Sequence, residues 1–178
     1  MPMKCGIGKS RASQRGAELV EFALVLPLLL MLLVGIFDFG YLFALRQKMT
    51  NATSQAARIT VSLPLSNSSC TSATPCAIVA AANAVVQYMA NAGASVSCIQ
   101  PGSPTTSVAL EWTYSCANGT SLVINRGYSL AESGGVMIPA TQVTFVYPIQ
   151  WRLASFLPGF SSAGRITTQA TMQNLASD

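Results

Sequence analysis

The chain has 178 residues, 51% of them hydrophobic and only 9% charged, and it contains no histidine. That length has room for one membrane segment and one domain of modest size, and the missing histidine excludes every His-based triad, dyad or metal site. Four of the ten basic residues lie within positions 1–16; residues 17–178 carry six Lys/Arg and six Asp/Glu, so no basic footprint for nucleic acid remains.

Residues 1–16 read as a short basic tail, with Lys4, Lys9, Arg11 and Arg15 and no acid. From Phe22 to Leu45 the chain runs 24 residues with one charged side chain, Asp38. A bilayer core about 30 Å thick needs roughly 20 apolar helical residues, so this run is long enough to span. It is also too long for the apolar region of a cleaved secretory signal. The basic tail favours a cytoplasmic N-terminus, although Arg46, Lys48 and Arg58 on the other side weaken that bias. The helix is expected to begin near Ala17 and to continue past the membrane to Ile59, since Ala44 to Ile59 contains no Gly or Pro. Met49, Ala52, Ala56 and Ile59 then share one face that can pack on a domain. Pro27 removes one backbone hydrogen bond and is expected to kink the helix. Gly35 and Gly40 are small positions where another helix could approach.

The entry to the helix reads Arg15-Gly16-Ala17-Glu18-Leu19-Val20-Glu21-Phe22. One reading of Glu18 and Glu21 is that they complement the positive end of a helix, each worth roughly 0.3–1 kcal/mol. The stretch GAELVEFALVLPLLLMLLVGIFDFG, continuing to Ala56-Ala57-Arg58, resembles the TadE-like family of minor pseudopilins of tight-adherence pili, a branch of the bacterial type IV pilus systems. The resemblance spans roughly Arg15 to Ile59. It implies that a prepilin peptidase cuts after Gly16 and leaves Ala17 as the mature N-terminus, with Glu21 and Phe22 as assembly residues. It further implies major and other minor pilin subunits, an inner-membrane assembly platform and the lipid bilayer as partners. Ala17 stands where the usual type IV pilin signature has Phe, which suits the tight-adherence branch.

Four cysteines, Cys70, Cys76, Cys98 and Cys116, come after the helix, while Cys5 lies in the tail. An even number in a small polar domain predicts two disulfides in an oxidising compartment. Three pairings are open, and proximity favours Cys70–Cys76 with Cys98–Cys116. The spacing contains no Cys-x-x-Cys knuckle, so no metal is expected. Sequons at Asn51, Asn67 and Asn118 keep a eukaryotic signal-anchored glycoprotein as an alternative.

Ser62 to Cys76 reads as a loop. A second helix comes next, with Thr74 as N-cap, Pro75 at its first position and Gly93 just past its end. Its apolar stripe is Ile78, Ala82, Val85 and Met89, with Asn83, Gln87 and Asn91 pointing away. From Ala94 the period changes to two. Val108, Leu110, Trp112, Tyr114 and Cys116 alternate with Ala109, Glu111, Thr113 and Ser115 as one half-buried strand. Asn118-Gly119 marks a hairpin, and a three-residue loop placing Tyr114 opposite Ile124 keeps one face apolar. Gln142 to Gln150 is a strand with Val143, Phe145, Tyr147 and Ile149 inward. Arg152 to Leu157 is a short turn or helix ended by Pro158-Gly159, and Arg165 to Gln173 is the closing strand.

The expected fold is α+β and pilin-like: a long transmembrane helix, a short second helix and an antiparallel sheet of about four or five strands. The divisions are 1–16 leader, 17–59 helix and 60–178 extracytoplasmic domain, held in a bacterial inner membrane with the domain periplasmic. Glu111 and Glu132 have no pairing partner for acid–base work, so neither an enzyme nor a cofactor is expected. The expected role is building or priming a pilus. The alternative is a signal-anchored extracytoplasmic binding or adhesion domain that is never polymerised.

Overall fold

In a computed structural model of the chain, the described residues are 12–65, 74–131, 135–152, 154, 159 and 161–174. Helix α1 (Ala12–Ser62) carries Pro27 inside it without interruption. It is already helical at Ala12, the first described residue and five before the expected Ala17, and ends three beyond Ile59. Residues 12–15 contain no Gly or Pro, and the single Gly16 costs a helix only about 1 kcal/mol. The far end is extended by a donor outside the helix. The Arg126 guanidinium donates from one nitrogen to the carbonyls of Thr60, at 2.9 Å, and Leu63, at 2.8 Å. Pro64 then stops the helix.

Two halves of α1 live in different surroundings. From Glu18 to Leu33 its described side chains are exposed, whereas Leu45, Met49, Ala52, Ala56 and Ala57 are buried in the core. Met49, Ala52 and Ala56 of the predicted face are fully covered, and Ile59 is half-buried. Thr53 and Thr60 also fall on this face. Each returns its hydroxyl to a carbonyl one turn back, Met49 and Ala56 respectively, so neither brings an unpaired group into the core.

Helix α2 (Cys76–Asn91) buries Ile78, Ala82, Val85 and Met89, the stripe predicted for it. Its start is one residue later than expected: Pro75, with φ −56° and ψ 141°, occupies the cap position, and no side chain caps the helix. The Thr74 hydroxyl donates instead to the Gly102 carbonyl at 3.2 Å, fastening the helix entry to a distant loop. At the other end Gly93 N–H donates to Ala90 and Ala94 N–H to Met89, the paired bonds of a Schellman stop.

Five strands form an antiparallel meander in chain order: β1 (Thr106–Val108), β2 (Glu111–Ser115), β3 (Ser121–Ala131), β4 (Met137–Gln150) and β5 (Ala163–Gln173). One apolar face supplies Trp112, Tyr114, Leu122, Ile124, Val143, Phe145 and Ile149 to a core shared with α1 and α2. Val143, Phe145 and Ile149 are buried as expected, and Tyr147 is half-buried. The fold is therefore α+β, with a five-stranded sheet.

Two expectations from the sequence are corrected by the strand pairing. The single strand from Val108 to Cys116 is in fact a hairpin: β1 folds back on β2, with Val108 opposite Glu111. Leu110 sits in the turn with φ +65°, its carbonyl accepting the Arg126 N–H at 2.8 Å, and Val108 and Leu110 are exposed. Alternation continues through the turn by coincidence of residue type, which hides the reversal. The second correction concerns register, because Tyr114 lies opposite Leu122, not Ile124. The loop does have three residues, but they are 117–119. The Cys116 carbonyl accepts from Gly119 N–H, Gly119 takes φ +88°, and Cys116 N–H donates to the Thr120 carbonyl. That is a type I turn closed by a left-handed residue, a conformation glycine adopts without a Cβ clash. A shift of two keeps the apolar face together, so parity alone could not detect it. The turn expected at Arg152 to Leu157 falls largely outside the described residues, as does Pro158.

Candidate membrane and assembly site

The residues singled out for processing lie in the first turns of α1. Gly16 is exposed, with nothing within 4 Å of where a Cβ would stand, and Ala17 follows it in helical backbone. Glu18 and Glu21 are exposed, and Phe22 is 60% exposed. Four residues of helix advance about 6 Å, so Glu21 stands one turn beyond Ala17. Pro27 is exposed and lines an apolar hollow with Leu28, Leu30, Met31 and Val34. Gly35 and Gly40 separate: Gly35 is already buried within the chain, whereas Gly40 is exposed and has open space around it.

Asp38, the one charge in the apolar run, marks the transition between the halves. It is 8% exposed, because the domain reaches down the helix to its level. A hollow of about 540 Å³ lies there, lined by Asp38, Tyr41 and Leu45 of α1 and by Tyr147, Gln150 and Arg152 of β4 and the residues after it. Burial, then the neighbouring Tyr41, pushes the Tyr147 hydroxyl above its ordinary value. On the adjoining face Trp151 stands edge-on to Phe39, ring centroids 5.8 Å apart.

Cys98 and Cys116 form a disulfide across 5.8 Å between Cα atoms, and Cys76 is also disulfide-bonded. Cys70, the partner expected for Cys76, lies outside the described residues. The Cys98–Cys116 bridge holds the segment after α2 against the end of β2. Tyr114 reinforces it by donating to the Pro101 carbonyl at 2.8 Å, and burial pushes its hydroxyl up to about 12. Of the sequons, Asn51 is exposed on α1, the Asn118 side-chain oxygen accepts the Thr120 N–H inside its turn, and Asn67 lies outside the described residues.

Sequence reasoning missed Arg126 and Trp151. Arg126 had a signal, since it continues the inward parity of Leu122 and Ile124 and is 3% exposed. Trp151 stands just past β4, where no periodicity assigns a side chain to a face.

An exposed apolar helix of this length, joined to a small disulfide-bonded α+β domain, fits a single-pass membrane anchor. The family model described as TadE-like protein matches residues 16–58, so the likeness to that family covers almost all of α1 from Gly16 onward. No curated protein and no solved structure matches the chain.

Proposed function

We propose that this protein is a minor pseudopilin, or pilus-assembly protein, of a tight-adherence pilus, made as a membrane-held precursor. The observation that carries the reading is the coincidence of the TadE-like match with α1. The matched segment begins at a glycine bare of contacts, passes an exposed acid at the lip of the apolar run, and ends inside the domain core. A prepilin peptidase removes residues 1–16, and glycine at the cleaved position offers a close-fitting pocket no side chain to reject. The scissile bond lies within helical backbone, so exposing it requires local unwinding around Gly16. The disulfide fits a domain on the oxidising side, with the basic tail cytoplasmic.

After cleavage the Ala17 amine adds a positive charge to the positive end of a helix. A neighbouring subunit's Glu21 offers that charge a carboxylate. Extraction from the bilayer strips water and headgroups from both groups, so an unpaired Glu21 becomes more costly as the partner amine arrives. The pairing sets axial register against the major and other minor pilins on the inner-membrane assembly platform. Glu21→Gln keeps the shape and removes the charge. The variant is expected to be processed, inserted and folded, yet to fall at least tenfold in sheared surface filaments. Wild-type incorporation of Glu21→Gln would contradict this role.

A further inference from the structure

The apolar run and the part of it left for lipid are not the same length. Phe22 to Leu45 would occupy about 36 Å as a helix. The strand end at Pro148 to Gln150 and the adjoining Arg152, however, line a hollow with Phe37 to Leu45. Sinking the run to Leu45 would carry the Arg152 guanidinium and the unpaired edge of that strand into hydrocarbon, where no water can solvate them. Counting instead from Leu19 to Phe37, with Glu21 within one turn of the edge, gives 19 residues, about 28 Å, close to the roughly 30 Å of a hydrocarbon core. The bilayer boundary on the domain side then falls at Asp38 and Phe39, level with the foot of the domain.

The side chains at that level have headgroup chemistry. Tyr41 is 60% exposed, Arg46 and Arg152 are exposed, and Trp151, half-buried, lines a hollow with Phe39 and Arg46. Tyr and Trp favour the interface because each presents an apolar body and a polar tip, and Arg pairs with phosphate. Trp151 is also held in place. Its backbone N–H donates to the Ser162 carbonyl at 2.8 Å, and its indole lies over Gly164, where an added Cβ would come within 2.8 Å of Nε1. We propose that this foot is seated in the phospholipid headgroup layer. Trp151 and Tyr41 lie at the boundary, Arg46 and Arg152 face lipid phosphates, and the hollow beside Asp38 receives a headgroup. The seating rests on α1 spanning the bilayer and assigns the domain a fixed depth on it.

Tryptophan quenching tests both statements separately. Trp112→Phe in the full chain leaves Trp151 as the single tryptophan, in phosphatidylethanolamine–phosphatidylglycerol vesicles carrying bromine either near the headgroup or near the bilayer centre. Headgroup-proximal bromine is expected to quench Trp151 at least twofold more than central bromine. Gly164→Ala, which displaces the indole, is expected to reduce that quenching. The wild-type chain, which needs no core substitution, should show the same depth preference at smaller amplitude because Trp112 is buried. A second reporter, Leu29→Trp with Trp112 and Trp151 both changed to Phe, should be quenched by central bromine. Quenching of the Leu29 reporter with none at Trp151 would overturn the seating alone, and a protein partner would then be what covers the foot. No quenching at either reporter would overturn the span and the seating together.

Discussion

At the scale of single residues, Arg126 and Tyr114 hold the domain in ways a hydrophobic inventory would miss. Arg126 supplies the donor for the Thr60 carbonyl in the last turn of α1 and the Leu63 carbonyl just beyond it, so its loss strands acceptors, and hydrogen bonds to a charged group are worth roughly 1.5–3 kcal/mol each. Arg126→Met, which keeps the bulk, is expected to cost about 3 kcal/mol in chemical denaturation of the detergent-solubilised chain. A loss below about 1 kcal/mol would show that water replaces the guanidinium. For Tyr114 the folded hydroxyl titrates near 12 against an ordinary value of 10.0. The folded state favours the neutral form, so this stabilisation is complete below pH 10 and lost as pH rises from there through about 12. Two pH units correspond to roughly 2–3 kcal/mol. Tyr114→Phe should remove that alkaline loss while costing about 1 kcal/mol at neutral pH for the bond to Pro101. An unchanged alkaline profile in Tyr114→Phe would place the sensitivity elsewhere, with Tyr147 the next candidate.

At the scale of elements, α1 does two jobs with one continuous helix, and the division is only partly legible in the sequence. Helical period in Met49, Ala52 and Ala56 announces the packed half, because burial on one face leaves a residue pattern. The point where packing starts leaves no such pattern: residues 37–45 are nearly as apolar as the exposed stretch before them, and only the fold shows that the domain covers Asp38. The first hairpin is illegible for a related reason. Val108 and Leu110 suit an inward strand by type, and the left-handed φ of Leu110 is a tertiary outcome, supported by the Arg126 N–H. Glycine punctuation, by contrast, correctly marks the end of α2 at Gly93 and the hairpin at Gly119. The Cys98–Cys116 bridge, with 18 residues of separation, should contribute about 3 kcal/mol by restricting the unfolded chain. Replacing both cysteines with Ser should therefore lower the denaturation midpoint without changing the helical circular dichroism of α1. An unchanged midpoint would mean that Tyr114 and the buried Ala94, Val96 and Ile99 already fix that segment.

At the scale of the whole molecule, a helix with bare glycine and exposed acids at its start is joined through its second half to a packed core. Tension on the helix is therefore passed to the sheet through packed side chains and the Arg126 bonds, not through a linker. The fold class is readable because each layer has its own period, 3.6 in the helices and 2 in the strands. The residues proposed for processing and assembly are readable only as a motif, since Gly16 and Glu21 are exposed and offer no packing that geometry could interpret. On the proposed function their meaning depends on chemistry done to the chain, beginning with cleavage. The most direct test is the N-terminal mass of the protein recovered from sheared filaments and from membranes of the same cells. Processing predicts Ala17 as the first residue, and a heavier, uncut, membrane-bound form when Gly16→Val blocks the peptidase. Wild-type protein beginning at Met1 or Pro2 in piliated cells would contradict it and leave a plain membrane anchor.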